Sequence, residues 1–228
     1  MDIEDNVNRV KQRVEIACKK VGRDSNEVIL VAVSKTIPAT IVKYAVELGI
    51  EHIGENRVQE AEDKFERLGK IVTWHLVGHL QTNKVKKALQ IFDFIHSVDR
   101  YHLALEISKR ALQLERTIDC LVEVNTSGEA SKFGIRPEET LDFIRKISLL
   151  PALQVKGLMT IGAFLPDPED VRPCFKLLRE IKDNIDNFDV ENVDMKYLSM
   201  GMTNDFEVAI EEGANMVRVG RAIFGERY

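Results

Sequence analysis

Short apolar runs rich in branched residues alternate with helix-length amphipathic stretches along nearly the whole chain, and this alternation limits the possible folds more than any other feature. Residues 28–33 are apolar without a break, the pattern of a strand buried on both faces, as in a parallel sheet. Pro38 then opens a helix that Gly49 ends. The order repeats. Strand-like segments at 52–53, 73–77, 94–96, 118–124, 155–159, 197–199 and 216–219 are separated by helical patterns at 57–68, 82–90, 100–114, 137–149, 168–185 and 205–212. A weak internal echo supports a repeated unit, since Ala45 to Gly49 leads into Ile53 as Ala209 to Gly213 leads into Val217. Before the first strand, residues 2–21 read as an extra amphipathic helix, with Val7, Val10, Val14, Ala17 and Val21 on one face. About eight strand–helix units in a chain of 228 residues fit an α/β fold of the (β/α)8 TIM barrel type, one domain over 1–228 with an extra N-terminal helix. A doubly wound open sheet is the alternative arrangement of the same units.

Charge and cysteine usage exclude several classes. The net charge of −5 gives no general pull toward nucleic acid or an anionic membrane. No apolar run approaches the ~20 residues of a membrane span. The acidic start, Met1 to Asp5, is unlike a secretory signal. Cys18, Cys120 and Cys174 are far apart and read as small core residues in a reducing compartment, so a cytoplasmic protein is expected. No His, Cys or Asp spacing suggests a metal. Lys84, Lys86 and Lys87 read as a solvated helix face rather than a nucleic-acid patch. A single acidic barrel without an evident apolar patch is expected to be a monomer.

In a (β/α)8 barrel the chemistry gathers at the C-terminal ends of the strands. Lys35 lies there, with only Ser34 between it and the first apolar run. Read alone, it is a strand-end lysine that snorkels to water. Buried, its amine would lose a proton more readily and form a Schiff base with a carbonyl. Ser199, Gly201 and Thr203 follow the seventh strand and Gly220 follows the eighth. These are hydroxyls and permissive backbone on the two loops that often hold phosphate in this fold, although N-cap and turn chemistry accounts for the same residues. A reactive lysine facing a phosphate cradle across the barrel mouth suggests two ligand classes. One is the phosphorylated aldehyde cofactor pyridoxal phosphate; the other is a phosphorylated sugar carbonyl, as in a Schiff-base aldolase.

Further motifs narrow this choice. They are residues 31–36 (Val-Ala-Val-Ser-Lys-Thr), 54–60 (Gly-Glu-Asn-Arg-Val-Gln-Glu), 74–84 (Trp-His-Leu-Val-Gly-His-Leu-Gln-Thr-Asn-Lys), 124–127, 132–134, 157–160, 198–202, 218–220 and 223–225. In this order, and over nearly the whole chain, they resemble the pyridoxal phosphate homeostasis proteins, single-domain relatives of the N-terminal barrel domain of alanine racemase. The resemblance implies that Lys35 holds pyridoxal 5'-phosphate as a Schiff base. It implies that Ser199, Thr203 and the backbone around Gly201, Gly220 and Arg221 hold the phosphate, and that Arg218 faces the pyridine nitrogen. Asn56 and Met159, inside matching segments at strand ends, complete the expected cofactor-binding set. Arg221 stands where many relatives carry Ser or Thr, so a hydroxyl contact to phosphate is missing there while the backbone N–H remains.

An arginine at the ring nitrogen stays cationic and only donates. It leaves that nitrogen unprotonated and the ring a weak electron sink. Racemisation also needs acid–base groups on both faces, and alanine racemase takes one, a tyrosine, from a second domain and subunit. Tyr44, Tyr101, Tyr197 and Tyr228 offer no obvious equivalent, and the chain reaches Tyr228 just after the barrel. The expected function is therefore cofactor binding in intracellular vitamin B6 homeostasis, by storage, buffering or delivery to PLP-dependent apoenzymes, without substantial turnover. A PLP-dependent amino-acid racemase is the second reading and a Schiff-base phosphosugar aldolase the third. Lys132, in the polar loop 128–132, is either a solvated lysine or a residue that receives the aldehyde in transit as that loop moves. His75 reads as a hydrogen-bonded barrel residue and His79, nearer the mouth, as a candidate cofactor contact.

Overall fold

All eight expected strands form, and they close on themselves. In a computed structural model that describes residues 2–225, β1 (Ile29–Val33), β2 (His52–Glu55), β3 (Thr73–Leu76), β4 (Phe94–Val98), β5 (Ile118–Glu123), β6 (Leu153–Met159), β7 (Val193–Ser199) and β8 (Met216–Val219) follow one another around a parallel barrel. β1 pairs with β2 on one side and β8 on the other, so that Val31 stands opposite both His52 and Arg218. Closure leaves no sheet edge and excludes the open doubly wound arrangement. The TIM barrel expectation therefore holds.

Outside the barrel run α2 (Ala39–Glu47), α3 (Val58–Leu68), α4 (Val85–Ile91), α5 (Tyr101–Gln113), α6 (Thr140–Ser148), α7 (Arg172–Asp186) and α8 (Phe206–Glu211). Where the sequence pattern starts a helix early, the first turn is a 3-10 turn: Thr82–Lys84 before α4, Pro137–Glu139 before α6 and Pro168–Val171 before α7. β7 begins four residues before the apolar pattern does. Its first half carries exposed Asp194 and Lys196, which hide the strand from a reading based on apolar runs. Asp194 meets Lys156 of β6 at 3.2 Å, a cross-strand pair that suits the exposed face.

Two apolar layers hold the structure. Trp74, Phe92, Phe175 and Phe206 lie in the larger core between strands and helices. Val31, Val77, Phe94, Leu121, Met159 and Met216 fill the barrel itself, with Ile29, Val33 and Tyr197 packed against them. The helix after β8, α9 (Arg221–Phe224), has only four residues. The extra helix α1 (Ile3–Lys20) packs against α8 and α9 and takes the eighth place in the outer ring. Arg13 lies over the Phe206 ring at 4.5 Å and meets Glu207 at 2.6 Å. Arg23 donates to the carbonyls of Ile210 and Ala214 at 3.0 and 2.9 Å, which ties the turn after α1 to the end of α8 and the segment beyond it. No helix among the described residues is long and apolar enough to cross a membrane. Cys18, Cys120 and Cys174 are all buried and free.

The buried amide of Asn6 donates to the Ile223 carbonyl at 3.0 Å, tying α1 to α9. Asn6→Ala leaves that carbonyl without its partner and should lower stability by about 1–3 kcal/mol. The loss should appear as a lower urea midpoint at unchanged slope; an unchanged midpoint would show that α1 is not held there.

Candidate functional site

β1 runs into a tight turn that fixes the backbone on both sides of Lys35. The Ile37 N–H donates back to the Ser34 carbonyl at 3.0 Å. Thr36 adopts φ 66°, the left-handed region, which for a branched residue costs ~1–3 kcal/mol. Its N–H donates to Glu60 Oε2 at 3.0 Å, which holds the strained residue in place. On the other side, the Ser34 hydroxyl donates to Glu55 Oε1 at 2.5 Å, and Lys64 Nζ donates to the Ser34 carbonyl at 2.5 Å and to Glu55 Oε1. Ser34, Glu55 and Lys64 are all buried. Burial pushes the Glu55 carboxyl above its ordinary value, against the pull of the Lys64 ammonium.

Lys35 lines a cavity of about 430 Å³ at the C-terminal ends of the strands. Asn56 follows β2 into its wall, Thr203, Asn204 and Asp205 come from the loop after β7, and Arg218, Gly220 and Arg221 come from β8 and its loop. Ile161, Ala163, Phe164 and Leu165, from the loop after β6, supply an apolar side, with Phe164 83% exposed at the rim. The size and the mix of apolar wall with few polar groups are those of a small-molecule site. Because β1 pairs with β8, Lys35 and the Gly220 loop are neighbours around the rim. The expected arrangement across the mouth is corrected to one side by side.

Two glycines shape the walls. A Cβ on Gly78 would lie 2.4 Å from the Asn56 carbonyl, so the bare backbone lets the end of β3 press against Asn56. Gly201 has φ 87°, and a Cβ there would lie 2.5 Å from Ala209 Cβ and 2.8 Å from Phe206 Cα. Its absence lets the loop after β7 fold down onto α8 and bring Thr203 and Asp205 to the cavity. The Asp205 carboxylate accepts the Met202 N–H at 2.5 Å, and burial raises its pKa.

Arg218 is 4% exposed and rises from the barrel interior into this cavity. Its Nη1 donates to Ser199 Oγ and its Nη2 to the Thr160 carbonyl, both at 2.7 Å. Burial lowers its pKa to about 10, opposed by Asp205 and Glu123, so it stays cationic at neutral pH. Glu123 is pushed up to about 7, first by burial and then by Asp99, with Arg218 and Arg100 pulling the other way. Below Arg218 runs a line of hydrogen-bonded groups. Ser199 Oγ lies 3.0 Å from His96 Nδ1, His96 Nε2 lies 2.9 Å from His75 Nδ1, and His75 Nε2 lies 2.9 Å from His52 Nδ1. Burial holds the His75 pKa down at about 3, that of His96 well below the ordinary value, and that of His52 lower than usual.

Six of the nine expected residues, Lys35, Asn56, Thr203, Arg218, Gly220 and Arg221, line the one cavity. The other three sit behind it. The Ser199 hydroxyl, expected at a phosphate, is fully buried between Arg218 and His96, so what it holds is the guanidinium. Met159 is fully buried in the barrel core, a packing position beneath the cavity. Gly201 faces α8, and its carbonyl accepts the Arg218 N–H at 3.1 Å. His79 stacks on Phe133 at 4.0 Å, with Nδ1 3.4 Å from Asp99, outside the cavity lining. Lys132 donates to the Gly162 carbonyl at 2.8 Å and pairs with Glu129 at 2.7 Å. Its loop, expected to move, is braced by Asn125, which donates to the Glu129 carbonyl at 2.9 Å and accepts the Gly128 N–H at 3.1 Å. Among the described residues no cluster of His, Cys, Asp and Glu could hold a metal ion.

The family pattern described as alanine racemase, N-terminal domain, matches residues 3–228. A pyridoxal phosphate homeostasis protein of Aquifex aeolicus is 46% identical over 222 residues, 97% of this chain and 96% of that one. Two solved structures share the architecture. An unknown protein from Bifidobacterium adolescentis is 40% identical with a TM-score of 0.92, over 97% of this chain and 94% of that one. PipY of Synechococcus elongatus, solved with PLP bound, is 31% identical with a TM-score of 0.85, over 98% of this chain and 100% of that one.

Two outcomes follow from the buried charges. Lys64→Met strips Glu55 of its cation in a buried place and should cost about 3–5 kcal/mol in a denaturant titration; a loss under 1 kcal/mol would show the pair to be solvated. Glu123 has an ordinary value of 4.5 and a folded value of about 7. Between the two the folded chain keeps a proton that the unfolded chain releases, so this group's contribution to stability falls as pH rises and is lost above about 7. Glu123→Gln should therefore match wild type at about pH 4 and exceed it at about pH 8, by at most about 3 kcal/mol. Thermal melts at the two pH values check the difference.

Proposed function

The chain belongs to the pyridoxal phosphate homeostasis protein family, and on that premise we propose that it binds pyridoxal 5'-phosphate in the cavity at the barrel mouth and serves vitamin B6 homeostasis by storing, buffering or delivering it. The observation that carries the reading is the meeting, in one cavity, of the Lys35 amine with the Arg218 cation and the Thr203, Gly220 and Arg221 rim. When bound, the cofactor supplies an aldehyde to an amine and an electron-accepting ring. Lys35 is the amine that suits the aldehyde, set by the clamped turn around it. The Thr203 hydroxyl and the backbone at Gly220 and Arg221 suit the phosphate, and the Arg221 side chain adds positive charge on the same loop. Asn56 forms the wall beside Lys35, and Arg218 suits the ring nitrogen as a hydrogen-bond donor.

The same residues favour holding over turnover. A cationic guanidinium has donors and no acceptor, so Arg218 leaves a ring nitrogen unprotonated. Among the described residues no tyrosine lines the cavity. Tyr197 packs on Phe94 inside the barrel at 5.5 Å, Tyr101 lies under Lys146 at 4.2 Å, and Tyr44 is exposed on α2. Tyr228 lies outside the described residues. A racemase would need a second acid–base group on the far face, and an aldolase would need no ring partner such as Arg218. We read the protein as a cytoplasmic monomer of one domain that passes cofactor to PLP-dependent apoenzymes; three buried free thiols suit a reducing compartment.

Protein incubated with pyridoxal phosphate should gain a visible absorption band that borohydride abolishes. Peptide mass mapping should then find the pyridoxyl group on Lys35, and Lys35→Ala should lose both signals. Adducts spread over surface lysines, or amino-acid racemisation at ordinary enzyme rates, would overturn the reading.

A further inference from the structure

Three of the five histidines lie on consecutive strands β2, β3 and β4 and form one line inside the barrel, from its N-terminal end to the floor of the cavity. We propose that His96, His75 and His52 are positioning residues, a one-way hydrogen-bond relay that fixes the direction of the Ser199 hydroxyl and, through it, the guanidinium of Arg218. The direction follows from the arginine. Arg218 Nη1 can only donate, so at 2.7 Å the Ser199 oxygen accepts. The hydroxyl hydrogen then needs an acceptor of its own, and His96 Nδ1 is 3.0 Å away. A bare Nδ1 makes His96 the Nε2–H tautomer, which donates to His75 Nδ1. His75 is thereby also the Nε2–H tautomer and donates to His52 Nδ1. Run the other way, the chain would present N–H groups to Ser199 from both sides and leave its hydrogen without a partner at a fully buried position.

Packing keeps the rings from turning. His75 is stacked on Phe94 with centroids 5.5 Å apart, and His96 stands edge-on to Phe94 at 5.8 Å. A charge on His75 would set its Nδ1–H against the Nε2–H of His96, and one on His96 would set its Nδ1–H against the Ser199 hydroxyl hydrogen; burial already disfavours either charge. Arg218 has no lone pair, so the chain cannot carry protons into the cavity. What it transmits is orientation: with the Thr160 carbonyl as second anchor, Ser199 leaves the guanidinium one seat. Only the identity of what Arg218 faces rests on the cofactor reading above; the relay is a property of the cofactor-free protein.

The test has two arms. In cofactor-free protein labelled with 15N-histidine, long-range 1H–15N spectra should show His75 and His96 as uncharged Nε2–H tautomers at neutral and mildly acidic pH. An Nδ1–H tautomer or an imidazolium at either ring overturns the relay, whether or not any variant folds. In the second arm, pyridoxal phosphate is titrated into Ser199→Ala and Ser199→Thr and followed by the visible band. Ser199→Ala should bind about ten-fold more weakly, the scale of one hydrogen bond to a charged group, with a displaced band, and Ser199→Thr should restore both. Wild-type affinity and an unmoved band in Ser199→Ala overturn the positioning role. A wild type that gains no band at all refutes the cofactor reading instead, and the tautomers still decide the relay.

Discussion

Hydrogen bonds between β1 and β8 are the constraint from which the site derives. They set Val31 opposite Arg218 and bring the turn after β1 beside the loop after β8. An amine from the first strand and a cation from the last therefore share one cavity, although they are far apart in the chain. An open sheet made of the same strands would leave β1 and β8 unpaired. The role of α1 follows from the same closure. With α9 limited to four residues, the groove outside β8 and β1 would be bare, and α1 covers it with Val7, Val10 and Val14.

Polar groups buried in the barrel are ordered by depth and by partner. The apolar plug of Val31, Leu121, Met159 and Met216 gives way toward the mouth to Thr160, Ser199, Glu123 and Arg218. A buried guanidinium is costly unless its donors are used, and here two are committed to fixed oxygens. Lys64 and Glu55 follow the same logic one strand away, where their contacts meet on Ser34, directly before Lys35. Removal of either partner strands the other, which is why such groups occur together.

What the sequence displays of this arrangement depends on how local each signal is. Strands with unbroken apolar runs, such as 28–33, are plain to read, because burial on both faces forbids polar residues. β7 is half legible, since Asp194 and Lys196 on its exposed face break the run. Lys35, Thr203, Arg218 and Gly220 are readable as strand-end residues because the fold assigns chemistry to that face. The part played by Ser199 is hidden, because a hydroxyl next to a glycine loop reads equally as a phosphate ligand or a brace. Nothing local to Lys64 signals burial, which comes from its tertiary position against Glu55. The histidine line spans separations of 23, 21 and 103 residues. Its one sequence trace is a histidine in each of three successive strands, a coincidence that acquires meaning only once the barrel closes.

The order in which a ribosome releases the chain gives the β1–β8 pairing a last consequence. Residue 35 emerges early, yet every group beside it from β8 emerges after residue 216. A half-made chain thus holds an amine without its cationic neighbour, and no cavity in which to keep a ligand. Capture of any guest must wait for the final strand to dock, so loading is an event in the life of the finished molecule and cannot guide its synthesis.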